Sequence, residues 1–349
     1  MLGACGQQAG KPSLQPVPEA PKNSFNIGWS IYAGWMPWPY AQQSGIVKKW
    51  ADKYGIKINI IQVNDYVESI NQYTAGKLDG VTATTMDALT VPAAGGKDTT
   101  VILIGDYSNG NDGIVLKNAK TLADIKGRSV NLVQFSVSHY LLARGLEKAG
   151  LTLADVKTVN TGDADIVGAF TSPQVTAVVA WNPQLSEVRK AQGATEVFNS
   201  SQIPTEILDT MMVSSATLKA NPKLGKALAG IWYETLAIIS KDDAKGRDAR
   251  MIMAKDAGTT PESFAAQLKT THLYGNASDA AALARSPDLM TVTDRVRQFS
   301  FSKGLFGPAA TTVDAIGISF PGDKTLGNRA NIKLRFDASF MDMAAARKL

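Results

Sequence analysis

Acidic and aromatic side chains are frequent in the segments that follow the predicted strands of this sequence, and basic side chains are rare there. A carboxylate accepts paired hydrogen bonds from a planar cation such as guanidinium, and the face of an indole ring stacks on the same cation. A small anion would instead need Arg, Lys or a ring of backbone donors. The candidate binding residues are Trp35, Trp38, Asp87, Asp112, Ser136, His139, Asp163, Trp181, Asn182 and Glu206. Because neither Arg nor Lys occurs in five of these segments, the residue types favour a cation; the five surround Trp35, Asp87, Ser136, Asp163 and Trp181.

The tryptophans, Asp87 and His139 also have structural interpretations, which the sequence leaves open. Trp35 and Trp38 flank a proline, and large aromatic side chains often fill a hydrophobic core. Asp87 stands where a carboxylate caps the helix that follows. His139 begins a predicted helix, and the other histidine, His272, is far along the chain, which argues against a metal site. We therefore expect neither a metal nor a cofactor.

The remaining acids have structural alternatives as well. Asp112 lies in a segment rich in Asn, Gly and Asp, which is typical of a turn. Either Asp163 or Asp165 is placed to cap the helix that follows, so one of the two is expected to be structural. Glu206 and the nearby Asp209 face either a cleft or solvent.

Short apolar strands alternate with amphipathic helices from residue 24 onward, which is typical of an α/β fold with mostly parallel sheets. The strands are predicted at 25–29, 58–63, 81–83, 101–104, 114–116, 129–133, 156–159, 177–180, 195–198 and 211–214. A loop is predicted over 30–39 and a turn or hinge over 106–113. From residue 217 to the end the pattern is helical, with helices at 225–239, 243–257, 261–270, 279–284 and 288–303. Ligands of open α/β sheets bind at the carboxyl ends of the strands, where the candidate residues lie.

Length and composition indicate a globular protein of two domains. The chain has 349 residues, of which 44% are hydrophobic and 19% charged. The formal net charge of +5 is spread thinly along the chain, so we expect no nucleic-acid partner.

The amino terminus contains the single cysteine, Cys5, preceded by Leu2-Gly3-Ala4. This short segment resembles the lipobox of bacterial lipoproteins, in which the cysteine receives a diacylglycerol; the alternative is a stray cysteine near a start codon. The proline-containing segment up to residue 23 is interpreted as an extended tether. No apolar stretch is long enough to span a bilayer, so the body is expected outside the cytoplasmic membrane, held by a lipid anchor only.

Several segments of the middle of the chain resemble one family. The stretches 126–133 and 136–150 are similar to the second-lobe entry of the nitrate, sulfonate and taurine branch of periplasmic binding proteins. The stretches 162–170 and Trp181-Asn182-Pro183 are similar to the segments that close the cleft in that family. Asn182 stands where many relatives carry Asp, so the role of that position is not carried over.

The resemblance implies a type II periplasmic binding protein fold with two lobes and a two-stranded hinge. Lobe 1 would comprise residues 24–111 and 213–349, and lobe 2 residues 112–212, after the tether of residues 1–23. The chain would cross between the lobes near Asp112 and near Met212. Hinge closure would bring residues of both lobes onto one ligand, with Trp35, Trp38 and Asp87 from lobe 1 and Ser136, Asp163 and Trp181 from lobe 2.

The function implied by this resemblance is that of a monomeric solute-binding component of an ABC importer, not an enzyme. Its partners would be a permease and that permease's cytoplasmic ATPase. The segments 34–38, 86–89 and 105–113 resemble the branch associated with urea carboxylase, which implies guanidine or urea as the solute. The alternatives are an anion such as taurine, an alkanesulfonate or nitrate, an enzyme related to thiamine-precursor synthases, and a sensory domain.

Overall fold

A computed structural model describes residues 22–349 of the chain, so Cys5 and nearly all of the predicted tether lie outside the described residues. The strands are β1 (Ser24–Trp29), β2 (Lys57–Gln62), β3 (Gly80–Thr84), β4 (Thr99–Ser108), β5 (Asp112–Lys117), β6 (Ser129–Leu132), β7 (Lys157–Asn160), β8 (Ala177–Trp181), β9 (Ala194–Asn199), β10 (Leu208–Ser214), β11 (Thr271–Leu273), β12 (Gly317–Phe320), β13 (Lys324–Leu326) and β14 (Ile332–Phe336). The helices are α1 (Pro37–Gln43), α2 (Ile46–Tyr54), α3 (Tyr66–Thr74), α4 (Thr85–Ala88), α5 (Val137–Lys148), α6 (Ile166–Thr171), α7 (Gln184–Val188), α8 (Ser215–Ala220), α9 (Pro222–Ile239), α10 (Ala244–Asp256), α11 (Pro261–Lys269), α12 (Ala277–Arg285), α13 (Pro287–Ser302) and α14 (Ser339–Ala345).

The strands form two separate sheets. Sheet 1 has the order β13-β12-β14-β4-β10-β3-β1-β2, with β11 added beside β4, and sheet 2 has the order β7-β6-β8-β5-β9. Strand β1 is parallel to both of its neighbours, whereas β10 is antiparallel to both of its own. In sheet 2, β6 is parallel to β7 and β8, and β5 is antiparallel to β8 and β9. The α/β fold with mixed sheets is confirmed, although parallel pairs do not predominate.

The chain passes between the sheets twice, at residues 109–111 and 200–207. The hydroxyl groups of Ser108 and Ser200 are 2.6 Å apart, and the backbone N–H of Gly110 donates to Ser200 at 2.8 Å. The two passages are therefore tied together. The predicted turn over 106–113 is too long because β4 and β5 continue into it, and the second passage precedes β10 instead of falling at Met212, which is buried inside that strand.

The predicted loop over 30–39 is wrong in its second half, because α1 begins at Pro37. A proline has the φ angle of a helix and lacks only an N–H that the first turn would leave unpaired, so it starts helices as well as ending them. The predicted end of the following helix is confirmed. Gly55 caps α2 with φ of 64°, in the left-handed region that glycine adopts without steric cost.

The prediction of helices up to the carboxyl terminus is also wrong, since β11 to β14 lie in this region. Strand β14 pairs in parallel with β4, placing Leu334 opposite Thr99, so sheet 1 is completed only near the end of the chain. Its sequence alternates, with Leu334 and Phe336 buried. These strands have three to five residues each, which is too short for a clear alternating pattern in the sequence.

Each sheet has its own hydrophobic core. The larger core lies around sheet 1 and includes the buried face of α9, and the core of sheet 2 includes the buried face of α5. Helix α13 contributes Val296 to the sheet 2 core, so the helices after residue 217 do not cover sheet 1 alone. Over residues 22–349, no helix combines the length and the apolar composition that crossing a bilayer demands.

The packing of α14 on α9 generates a stability prediction for Gly225. A Cβ atom at Gly225 would lie 2.5 Å from Cζ of the buried Phe340 ring. We expect Gly225→Ala to lower the free energy of unfolding by about 1–3 kcal/mol, because this steric overlap outweighs the gain in helix propensity. Gly168→Ala in α6 is the matched control, since no atom lies within 4 Å of its Cβ position, and it should be neutral or slightly stabilising. Urea titrations measure both, and equal midpoints for the two variants would contradict this packing.

Candidate functional site

A small cavity lies where the two sheets meet, with an empty volume of about 290 Å³. Sheet 1, its neighbouring segments and sheet 2 with its neighbouring segments all contribute to the wall. The lining residues are Tyr32, Trp35, Tyr66, Thr84, Asp112, Val137, Trp181, Ile207 and Asp209. No Arg or Lys of the described part of the chain is among them.

Strand register brings polar residues from distant parts of the sequence into two rows at this cavity. In sheet 1, Asp209 of β10 lies opposite Thr84 of β3 on one side and opposite Asp106 of β4 on the other. In sheet 2, Asp112 of β5 lies opposite Trp181 of β8. Residues that face each other across neighbouring strands have adjacent side chains, so each row forms a continuous surface.

Hydroxyl groups at the cavity donate their protons to buried carboxylates. Tyr66 Oη donates to Asp87 at 2.6 Å, Thr84 Oγ1 donates to the same carboxyl at 2.7 Å, and Tyr32 Oη donates to Asp106 at 2.9 Å. A hydroxyl has one proton, so these three groups can only accept further hydrogen bonds. The carboxylates behind them are also acceptors when ionised. The polar part of the cavity wall is therefore rich in acceptors.

Burial raises the pKa of every carboxyl group in this cluster above the ordinary value of 3.8. The pKa of Asp87 is raised to about 6, and the hydrogen bonds from Tyr66 and Thr84 oppose the rise. Burial raises the pKa of Asp112 to about 7 and that of Asp106 to about 7, with their mutual repulsion among the causes for Asp106. The pKa of Asp209 is raised well above its ordinary value by burial and by the charges of Asp106 and Asp112. The empty cavity therefore holds protons near neutral pH.

Aromatic rings form the apolar part of the wall. The ring of Trp35 lies 5.0 Å from that of Tyr32 and 5.7 Å from that of Tyr66, measured between centroids. Tyr66 in turn meets Trp181 edge-on at 5.7 Å, which joins the sheet 1 side to the sheet 2 side. The indole N–H of Trp35 is buried and has no hydrogen-bond partner among the described residues, and the same holds for the hydroxyl of Ser138 beside the cavity-lining Val137.

Three of the ten candidate residues, Trp35, Asp112 and Trp181, line the cavity. Asp87 lies directly behind the wall, where it binds Tyr66 and Thr84, and it also accepts no cation from the protein. Its backbone N–H bonds to Thr84 Oγ1, so Thr84 and not Asp87 caps the short helix α4.

Three further candidates have partners elsewhere in the structure. Trp38 is buried and stacks on Trp232 with centroids 5.2 Å apart, which is the core-filling alternative. Asn182 uses its side-chain oxygen to accept from Ser186, at 2.6 Å from the hydroxyl. Glu206 binds three groups through its carboxylate, which are the side chains of Tyr140, Arg144 and Arg295.

Ser136, His139 and Asp163 also lie outside the cavity lining. Ser136 caps α5 by accepting from the backbone N–H of Ser138 and donates to the carbonyl of Val133. His139 packs between phenylalanine rings, and burial together with the charge of Lys303 lowers its pKa to about 4. Asp163 borders an adjacent open cleft.

The sequence analysis missed Tyr32, Tyr66 and Asp106, and it left Asp209 between cleft and solvent. Asp106 and Asp209 are acids inside apolar strands, with the sequences TTVILIGDYS and LDTMMVS, and both are fully or almost fully buried. A buried acid in a strand needs a partner, so this signal was present in the sequence. Nothing in the sequence marked Tyr32 and Tyr66, whose position depends on which strands are neighbours.

Metal binding has no structural support in the part of the chain that the structure describes. Within residues 22–349, no group of three or more His, Cys, Asp or Glu side chains is arranged to hold a metal ion. The acidic cluster therefore has only protons, hydroxyl groups or a bound solute to balance its charge.

Two sheets, two short passages between them and a cavity at their junction define the α/β periplasmic binding protein fold. The chain belongs to the NMT1/THI5-like family, whose family model matches residues 42–262. A protein of Escherichia coli (strain K12) named for the binding of aliphatic sulfonates is 32% identical over 181 residues, which are 49% of this chain and 53% of that protein. A protein of Brucella abortus (strain 2308) named as a binding protein is 26% identical over 150 residues, covering 42% of this chain and 46% of its own length. The chain thus spans about half the length of these sequence relatives.

Solved structures with the same fold cover most of the chain. The alkanesulfonate-binding protein SsuA of Xanthomonas axonopodis pv. citri, bound to MOPS, has a TM-score of 0.68 and 18% identity, over 83% of this chain and 96% of its own. The periplasmic nitrate-binding protein NrtA of Synechocystis PCC 6803 has a TM-score of 0.66 and 14% identity, over 93% of this chain and 89% of its own. At these identities the likeness establishes the fold alone.

The raised pKa values generate a prediction for the stability of the ligand-free protein. A carboxyl whose pKa is higher folded than unfolded contributes stability that is complete below pH 4 and is lost as the pH rises through its folded pKa. With a folded pKa of about 7, Asp112 alone should lower the free energy of unfolding by about 2–3 kcal/mol between pH 5 and pH 8. We expect this fall to be smaller in Asp112→Asn and unchanged in the control Asp288→Asn, an exposed acid of α13. Urea titrations across this pH range test it, and parallel pH profiles for wild type and Asp112→Asn would contradict it.

Proposed function

We propose that the chain is the solute-binding component of an ABC importer and that it captures a small planar nitrogenous solute, guanidinium or a urea-like molecule. The solute would occupy the cavity between the sheets and be delivered to a membrane permease with a cytoplasmic ATPase. The family and the names of the relatives support the role of a binding protein. The chemistry of the cavity supports the choice of solute.

The observation that carries this choice is the cluster of buried carboxylates without a basic partner. Asp112 and Asp209 line the cavity, and Asp87 and Asp106 stand behind hydroxyl groups that line it. Guanidinium offers N–H donors in a plane and a positive charge, which match acceptors and carboxylates. The ring of Trp35 or Trp181 offers a face for stacking. A bound cation would balance the charge that protons balance in the empty cavity.

A second candidate is a small anion such as taurine, an alkanesulfonate or nitrate. The unpaired indole N–H of Trp35 and the unpaired hydroxyl of Ser138 are donors of the kind that such an anion requires. The relatives named for sulfonates and nitrate favour this candidate as well. An anion beside Asp112 and Asp209 would be repelled unless both carboxyls were protonated.

We propose hinge closure as the mechanism of capture, with the units around sheet 1 and sheet 2 as the two lobes. A solute in the cavity would contact Tyr66 and Asp209 on one side and Asp112 and Trp181 on the other, so it would favour the closed form. The tied passages at 109–111 and 200–207 would be the hinge. We further propose a lipid anchor at Cys5, a location outside the cytoplasmic membrane and a monomeric state.

The proposed solute is tested by calorimetry and thermal shift with guanidinium, methylguanidine, urea, taurine, an alkanesulfonate and nitrate. We expect guanidinium or urea to bind and to raise the melting temperature, because a ligand of the native state stabilises it by mass action. For guanidinium, Asp112→Asn should raise Kd roughly 30- to 100-fold, since it removes a charge-assisted acceptor from a buried site. The control Asp288→Asn should bind like the wild type. Binding of the three anions alone would overturn this proposal in favour of the second candidate.

The protons in the empty cavity generate a prediction for the pH dependence of binding. A cation competes with the protons of Asp106 and Asp112, whose pKa values are both about 7. The affinity for guanidinium should therefore fall as the pH drops, by about tenfold between pH 8 and pH 6. An anion would show the opposite trend, because it needs the protonated carboxyls. Calorimetry at pH 6, 7 and 8 distinguishes the two, and an affinity independent of pH would contradict both directions.

A further inference from the structure

Asp163 is almost fully buried, although it lies outside the cavity. It is only 6% exposed and belongs to the turn that precedes α6, on the sheet 2 side of the molecule. The opposite wall of the cleft that it borders is formed by the start of α3, on the sheet 1 side, with Asp65, Val67 and Glu68. Asp163 therefore faces the amino terminus of a helix that belongs to the other sheet.

The start of α3 has an amide group that its own helix does not satisfy. The first N–H groups of any helix have no acceptor within the helix. The side chain of Asp65 accepts from the N–H of Glu68 at 2.7 Å, which leaves the N–H of Tyr66 without a local partner. That N–H faces the carboxyl group of Asp163. A carboxylate at the positive end of the helix dipole is a favourable acceptor.

Tyr66 is also the residue that connects the cleft to the cavity. Its hydroxyl donates to Asp87 at 2.6 Å, and its ring meets Trp181 of sheet 2 at a centroid distance of 5.7 Å. The position of its backbone therefore determines where an acceptor and an aromatic wall of the cavity lie. The two contacts of Tyr66 with the sheet 2 side are the ring of Trp181 and the carboxyl of Asp163.

We propose that Asp163 is a positioning residue that fastens the start of α3 across the cleft, holds Tyr66 against Trp181 and so keeps the cavity closed around its solute. Burial and the charge of Asp65 raise the pKa of Asp163 to about 6, while the N–H groups of Tyr66, Asp163 and Ala164 lower it. At pH 7.5 the carboxyl is therefore mainly ionised, which strengthens the contact. The proposed function enters only through the choice of guanidinium as the probe.

The test combines amide hydrogen exchange at Tyr66, followed by NMR, with the rate at which guanidinium leaves the protein. In Asp163→Ala, both the exchange of the Tyr66 amide and the dissociation of guanidinium should become about tenfold faster, because one charge-assisted hydrogen bond across the cleft is lost. Asp163→Asn keeps a side-chain oxygen as acceptor, so it should restore most of both effects. Asp165→Ala is the matched control, since Asp165 is an exposed acid of the same turn. Urea titrations of all variants show whether the change is local.

Three results would overturn the proposal. Asp163→Ala could behave like Asp165→Ala in both measurements, Asp163→Asn could be as damaging as Asp163→Ala, or Tyr66 exchange could accelerate without faster release of guanidinium. If the wild-type protein binds no guanidinium, the proposed solute is wrong. In that case the exchange of the Tyr66 amide in the same variants still decides whether Asp163 holds α3.

Discussion

The site depends on carboxyl groups that are buried without a basic partner. An ionised carboxylate loses several kcal/mol of hydration when it is buried, and a protein normally compensates with a cation, a metal or several donors. Here the donors are mainly hydroxyl groups, from Tyr32, Tyr66 and Thr84. They compensate incompletely, as the raised pKa values of Asp87 and Asp112 show. The cavity is consequently a place where a positive charge is missing, and both its proton content and its choice of solute follow from that.

Strand register creates this arrangement. Thr84, Asp106 and Asp209 are more than a hundred residues apart at their extremes, yet they occupy one row because β10 lies between β3 and β4. Strand β10 is antiparallel to both neighbours and arrives from sheet 2, so the same passage that joins the sheets also delivers an acid to the cavity. The geometry of the site is therefore inseparable from the connection between the two units.

The sequence predicts the local part of this organisation and misses the non-local part. Trp35, Asp112 and Trp181 lie at ends of strands, and the rule that ligands of α/β sheets bind at strand ends identifies them correctly as wall residues. Trp38 and Glu206 satisfy the same rule, but their partners come from distant helices that no local pattern reveals. The same limitation applies to the carboxyl-terminal strands, whose three to five residues carry too little periodicity to be distinguished from turns.

The fold determines where a solute binds, but it does not determine the sign of the solute's charge. The relatives named for sulfonates and nitrate share the α/β fold at 14–18% identity in the solved structures, a level at which wall residues are free to differ. In this chain the wall contains Asp112 and Asp209, and a like charge about 4 Å from one carboxylate would be disfavoured by roughly 4 kcal/mol at an effective dielectric constant of 20. Two such carboxylates would weaken the binding of an anion by several orders of magnitude unless protons neutralised them. The same two groups attract a cation by a comparable amount, so a fold shared with anion-binding proteins is compatible with a cavity that selects the opposite charge.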